Sequence, residues 1–225
     1  MFIILLSSAI AFVITFFAIP AIIRVSVLKG LFDEPTERKQ HAQNIPTLGG
    51  LAIFAGTVFS YTFCSANLES SISQYIIAAI IVMFFIGIKD DLFELTAHKK
   101  LIGQVLSAII VVFFANIRIT SLCGIFGVYQ IPYWFSAGLS VFTILTIINA
   151  YNLIDGIDGL AGGVGAIASF TFGLWFYNYD NIGLCILSFA LFSSLVAFLI
   201  YNFNPASIFM GDTGSLVVGL IFSVL

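Results

Sequence analysis

The chain alternates long apolar runs with short polar segments. Runs of about 17 to 25 residues are long enough to cross a bilayer as helices, and they fall at approximately 2–23, 48–66, 74–88, 101–117, 133–149, 163–179, 183–202 and 214–225. The third is short, so its helix is expected to extend past the apolar stretch or its neighbours to form a re-entrant rim. No run shows the every-second-residue alternation of a barrel strand, so all are read as helices. The first run, Met1 to Ile23, lacks a positive amino-terminal region and exceeds the length of a signal-peptide core. It reads as an uncleaved span with its N-terminus outside. The predicted fold class is all-α: a polytopic transmembrane helical bundle of about eight spans, a single domain over residues 1–225.

Composition agrees. Of 225 residues, 60% are hydrophobic and 8% charged, against about 25% charged in a soluble domain, which excludes a soluble enzyme and gives no footing for nucleic acid. The net charge of −3 says less than where the charges fall. Cys64, Cys123 and Cys185 are scattered without metal or redox spacing and read as small apolar residues.

Four polar segments follow the first, third, fifth and seventh spans, which puts them on one side: Arg24 to Pro46, Lys89 to Lys100, Tyr151 to Gly162, and Tyr201 to Thr213. Seven of the eight Lys and Arg lie in them, Arg118 being the exception, and nine of the eleven acids, the exceptions being Glu69 and Asp180. The positive-inside rule makes this face cytoplasmic.

Each segment has a plain and a chemical reading. Asp90 and Asp91 are a solvated helix end partnered by Lys89, Lys99 and Lys100, or a pair that needs a cation. Asn149 to Gly163 carries Asn149, Asn152, Asp155 and Asp158 among four glycines between two spans, a polar loop suited to wrapping a ligand. Asp212, between Gly211 and Gly214 at the start of the last run, is a helix cap or a divalent-metal ligand, since Mg²⁺ takes a few carboxylates plus substrate phosphate oxygens. Phe209 is an interface anchor or a stacking platform. Lys39, His41 and Thr47 lie in a basic segment leading into Gly49-Gly50, which is suited to phosphates or to anionic lipid heads.

In combination these residues carry a resemblance. Asp33-x-Pro35-x-x-Arg38-Lys39-x-His41 with Pro46-x-x-Gly49-Gly50, then Asp90-Asp91, then Asn149-Ala-x-Asn152-x-x-Asp155-Gly-x-Asp158-Gly-Leu-Ala, then Phe209-Met-Gly-Asp212-x-Gly-Ser215 resemble the polyprenyl-phosphate N-acetylhexosamine-1-phosphate transferases. The first motif is most similar to the undecaprenyl-phosphate N-acetylglucosamine-1-phosphate transferase branch. The resemblance implies a bacterial inner-membrane enzyme with its active face in the cytoplasm. It would move N-acetylhexosamine-1-phosphate from a UDP-sugar to undecaprenyl phosphate, release UMP, and so start a lipid-linked cell-envelope glycan such as O-antigen or teichoic acid.

It also implies Mg²⁺, with Mn²⁺ as a substitute, at Asp212 and Asp91, and Asp90 and Asp91 as the catalytic pair. Lys39, His41, Thr47, Asn149, Asn152, Asp155, Asp158, Asn202 and Phe209 fall on the substrate side, with Phe209 against the uracil. Direct attack and a covalent acyl-phosphate intermediate both place carboxylates at 90 and 91. A homodimer is left open. The family carries a further histidine-motif loop and more spans after the Gly-Asp-x-Gly segment, so these residues are expected to be the N-terminal portion of a longer family domain. A truncated, inactive remnant would carry the same motifs. An ion-coupled transporter would need acids at mid-span and related halves, whereas here the acids gather at span ends.

Overall fold

The computed structural model describes residues 1–32, 45–66 and 71–225. Each predicted run is a helix: α1 (Phe2–Lys29), α2 (Gly49–Ser65), α3 (Ser71–Phe93), α4 (Ala97–Ile109), α5 (Tyr133–Ile154), α6 (Leu160–Asn178), α7 (Ile182–Asn202) and α8 (Gly211–Val224). A π-helical turn, Ile110–Phe114, continues α4 before the chain leaves the helix. Among the described residues the strand-like geometry is limited to one bridge between Phe32 and Pro46. Phe2–Lys29, Ala97–Phe114, Tyr133–Ile154, Leu160–Asn178 and Ile182–Asn202 are long and apolar enough to cross a membrane, and Gly49–Ser65 and Gly211–Val224 are shorter apolar helices. The chain is a polytopic helical bundle.

The short third run resolves as extension. α3 covers 23 residues and carries Lys89, Asp90 and Asp91 within its last two turns. Hydropathy clips such an end because backbone hydrogen bonding continues where the side chains turn polar. For the same reason α1 runs past Arg24 to Lys29, where Gly30 ends it in a left-handed conformation.

Two helices form the interior. In α7, 61% of the apolar window is buried, against 28–33% in the other four long spans, and its Leu187, Leu191, Leu195 and Phe198 are fully buried. It packs on α1, α2 and α6, while α8 packs between α3 and α5 and crosses α2. Lipid removes the hydrophobic force between helices, so small residues and hydroxyls do the joining. Between α1 and α2, the Ser60 hydroxyl donates to the Ser7 carbonyl at 2.5 Å, and Thr15 donates to the Ala52 carbonyl at 3.2 Å.

The α2–α8 crossing is closer still. A Cβ on Gly214 would stand 2.8 Å from Gly50 Cα, and one on Gly87 of α3 would stand 2.5 Å from Thr213 Cα. With no side chains in the way, the start of α8 sinks between α2 and α3, and the polar helix ends gather around it.

Candidate active site

Four helix termini meet at one end of the bundle: the end of α3, the start of α4, the end of α5 and the start of α8. The first turns of α8 are at the centre. Their free amides are not capped by a side chain of α8 itself. Asp91, from α3, supplies the cap instead: one carboxylate oxygen accepts from the Asp212 amide at 2.7 Å, and the other accepts from the Thr213 amide at 2.9 Å and from the Thr213 hydroxyl. A carboxylate at a helix N-terminus satisfies unpaired donors and meets the positive end of the helix dipole.

Asp212 is thereby released from capping. Its Oδ1 accepts from the Lys100 ammonium at 2.6 Å and from the Asn152 amide at 2.5 Å. Asn152 also donates to the Ser215 hydroxyl at 2.7 Å. Lys100 spans to a second carboxylate, Asp90 Oδ2, at 2.8 Å, while Asp90 Oδ1 accepts from the Leu95 amide at 2.6 Å. Asp90 is 7% exposed and Asp212 33%, so Asp212 is the more accessible of the two.

Asp155, just past the end of α5, completes the cluster. Burial pushes its carboxyl up to about 7; the Asp212 and Asp91 charges push the same way, opposed by the Gly211 amide that donates to it. Gly211 has φ +72°, and a Cβ there would run into the Thr47 carbonyl and lie 2.9 Å from an Asp91 oxygen. Only glycine fits. Thr47 thus borders the site through its backbone.

The remaining predicted residues divide. Asn202 is buried: its amide oxygen accepts from the Gly159 amide at 3.0 Å and its nitrogen donates to the Ile208 carbonyl at 2.8 Å. Asp158 accepts from the Ala206 amide at 3.1 Å. Both join the α5–α6 loop to the α7–α8 loop. Phe209 is held by its backbone, with its amide on the Pro46 carbonyl and its carbonyl taking the Gly49 amide, and it is half-buried. Asn149 turns to α4, where it pairs with Gln104. Lys39 and His41 lie outside the described residues.

Thr213 and Gln104 were not among the expected site residues. Thr213 sits inside the recognised motif, and its hydroxyl at a helix start was a usable signal. Gln104 shows only as a lone amide in an apolar run, four residues after Lys100. Of the three lysines expected beside Asp90, only Lys100 reaches it among the described contacts.

Among the described residues no three His, Cys, Asp or Glu side chains form a ready-made metal cage. What the arrangement offers is four carboxylates, those of Asp90, Asp91, Asp155 and Asp212, around a single ammonium, with helix-start amides, a hydroxyl and a carboxamide between them. Among the described residues, carboxylates outnumber cations in this cluster.

The family model described as glycosyl transferase family 4 matches residues 73–225. The chain is 34% identical over 214 residues to the probable undecaprenyl-phosphate N-acetylglucosaminyl 1-phosphate transferase of Bacillus subtilis (strain 168), covering 92% of this chain and 57% of the relative. It is 36% identical over 197 residues to the undecaprenyl-phosphate alpha-N-acetylglucosaminyl 1-phosphate transferase of Haemophilus influenzae, covering 84% and 55%. It is 30% identical over 244 residues to the phospho-N-acetylmuramoyl-pentapeptide-transferase of Streptococcus agalactiae serotype III, covering 100% and 73%. The chain spans a little over half the length of the first two.

Proposed function

Because the chain belongs to glycosyl transferase family 4, we propose that it takes part in moving an N-acetylhexosamine-1-phosphate from a UDP-sugar to undecaprenyl phosphate, with release of UMP, as the first step of a lipid-linked envelope glycan. The observation that carries the reading is the convergence on Asp212: Lys100 from α4, Asn152 from α5 and Asp91, through the helix amides, from α3 all meet at the start of α8. A soluble donor and a membrane-bound acceptor share only the depth where spans meet water, and the cluster lies at helix ends.

Mg²⁺ fits the donor set. Both substrates are anionic, and among the described residues four carboxylates stand against one lysine. Asp212 Oδ2 has no hydrogen-bond partner among the described residues, and Asp155 lies close enough to Asp212 for their charges to interact. These two would hold the ion, in keeping with Mg²⁺ taking one or two carboxylates and completing its shell with phosphate oxygens and water. When bound, it would supply charge neutralisation between the two phosphates.

The protein's own residues supply the rest. A phosphate oxygen of the acceptor attacks the phosphorus that bears the sugar; the bond from that phosphorus to the bridging oxygen breaks, and the oxygen leaves with UMP. Lys100 stands where it can hold a phosphate oxygen, and Asn152 keeps the Asp212 carboxylate turned to it. Direct attack is favoured over a covalent enzyme intermediate because both Asp91 oxygens are committed to α8 and both Asp90 oxygens to Leu95 and Lys100. Neither carboxylate presents an uncommitted nucleophilic oxygen.

The face bearing the cluster is assigned to the cytoplasm of a bacterial inner membrane, where UDP-sugars are found and where the lysines and arginines gather. N-Acetylglucosamine is the preferred sugar on the Asp33-to-His41 motif, and the phospho-N-acetylmuramoyl-pentapeptide-transferase relative makes the muramoyl donor the rival.

The test is incubation of membranes containing the protein with polyprenyl phosphate, Mg²⁺ and either UDP-N-acetylglucosamine or UDP-N-acetylmuramoyl-pentapeptide, scoring lipid-linked product and UMP. Product from the first donor is expected, lost on chelation and lowered at least 10³-fold by Asp212→Asn, about 4 kcal/mol of transition-state stabilisation. Undiminished turnover by the variant would sink the assignment of Asp212.

A further inference from the structure

One turn into the membrane from the carboxylate cluster, α4 and α5 are joined by a reciprocal pair of amides. Gln104 Nε2 donates to Asn149 Oδ1 at 3.2 Å, and Asn149 Nδ2 donates to Gln104 Oε1 at 2.9 Å and to the Leu145 carbonyl of its own helix at 2.7 Å. Gln104 is 1% exposed. A buried polar side chain is costly unless paired, and Asn149, exposed on α5, supplies the partner for Gln104.

Helix spacing makes the pair more than glue. Gln104 lies four residues after Lys100, on the same face of α4; Asn149 lies three residues before Asn152, on the same face of α5. Lys100 and Asn152 both end on one atom, Asp212 Oδ1. The amide pair is the rung directly beneath that shared contact. Toward α3, α4 is held by Ser107, which donates to the Ala79 carbonyl at 3.2 Å, and by Gly103 against Ile86. Toward α5, the amide pair is the side-chain hydrogen bonding that joins the two helices among the described residues, and Leu101, Ile102, Leu106 and Ile109 are exposed. A slide or rotation of α4 by a fraction of a turn would carry the Lys100 ammonium off Asp90 and Asp212.

We propose that Gln104 is a positioning residue, and that its amide pairing with Asn149 locks α4 against α5 in the register that puts Lys100 and Asn152 together on Asp212. Its effect on turnover rests on the phosphotransfer reading above; its effect on Lys100 does not.

The test therefore has two arms. In the first, the protein is treated with an amine-acylating reagent and modification is read lysine by lysine by mass spectrometry, with exposed Lys99 as the internal standard. In the wild type Lys100 is protected by its two carboxylate partners. In Gln104→Met, which keeps size and helix preference but not the amide, Lys100 acylation is expected to rise about tenfold, the factor worth roughly the one or two amide hydrogen bonds lost. The exchanged pair Gln104→Asn with Asn149→Gln keeps the summed length of the two side chains and is expected to restore protection.

A merely structural pair would lower the melting temperature in Gln104→Met and leave Lys100 as protected as before; that result, or failure of the exchanged pair to restore protection, overturns the proposal. Should Gln104→Met not fold, the exchanged pair against Asn149→Ala reads the same effect.

The second arm is a double-mutant cycle on turnover. Gln104→Met is expected to lower kcat about tenfold alone and less than twofold in a Lys100→Met background, since it acts through Lys100. Additive losses overturn the proposal. A wild type with no transferase activity but with Lys100 protection dependent on Gln104 would defeat the phosphotransfer reading and leave the positioning role standing.

Discussion

Asp91 commits both carboxylate oxygens to the start of α8, and that commitment divides the labour among the acids. A cap supplied from a neighbouring helix leaves Asp212, in the first turn of α8, free to face Lys100 and Asn152. Asp91→Asn keeps one acceptor and turns a donor toward helix amides that are themselves donors. It is expected to destabilise the protein by about 1–3 kcal/mol, the scale of charge-assisted hydrogen bonds and an unsatisfied buried group, measured as a lower melting temperature in detergent. Ser at 91 is expected to do no better, since it cannot reach two amides at once; wild-type stability in Asp91→Asn would remove the cap from this account. At this scale the sequence showed which residues are polar and that they cluster, through the Asp90-Asp91 and Gly211-Asp212 steps. It left open whether Asp212 caps its own helix or faces a ligand, because that depends on whether another carboxylate arrives from α3.

Among the elements, α8 is the one the others are arranged around. It is short and apolar, and its opening turns are buried against Gly50 of α2 and Gly87 of α3, where only hydrogen side chains fit. Gly50→Ala places a methyl group into the Gly214 backbone. Backbone cannot step aside as a side chain can, so α2 and α8 must part, at about 1–3 kcal/mol or more. The expected result is lower thermal stability together with loss of the Gly49 and Gly50 amide bonds to the Phe209 and Met210 carbonyls, seen as faster amide hydrogen exchange at 49 and 50. Unchanged exchange there would show that the crossing is looser than described. Helix identities and most boundaries were legible from apolar run lengths. The exceptions, the ends of α1, α3 and α5 and the start of α4, are those where a helix continues into polar residues, which hydropathy registers as an ending; the expected polar loop from Asn149 is thus helical as far as Ile154.

The chain is a multi-pass membrane bundle with its polar helix ends gathered at one side, and with the α4–α5 connection over residues 115–132 and the α6–α7 turn over 179–181 at the other. Labelling with a membrane-impermeant maleimide tests which side is which. Cys123 is exposed and Cys64 and Cys185 are buried, so intact spheroplasts are expected to label Cys123 alone. A cysteine introduced by Thr96→Cys, between α3 and α4 and exposed, should label only after permeabilisation. The reverse pattern would invert the orientation proposed here.

What the sequence by itself determined is the class and the family. Run lengths matched to bilayer thickness dictate spanning helices, since unpaired backbone is too costly in lipid, and the ordered motifs from Asp33 to Ser215 carry the family. Neither depends on how the helices meet. What only the tertiary structure decided is which polar groups touch: that Asp91 caps α8, that Lys100 rather than Lys89 or Lys99 bridges Asp90 and Asp212, and that Asn149 and Asn202 face their own protein. Apart from Lys100–Asp90, Asn149–Leu145 and Asn202–Ile208, these contacts join residues 43 to 122 positions apart. They are set by the rotation and register of neighbouring helices, which small-residue crossings and side-chain hydrogen bonds between helices fix, and apolar periodicity carries no record of them.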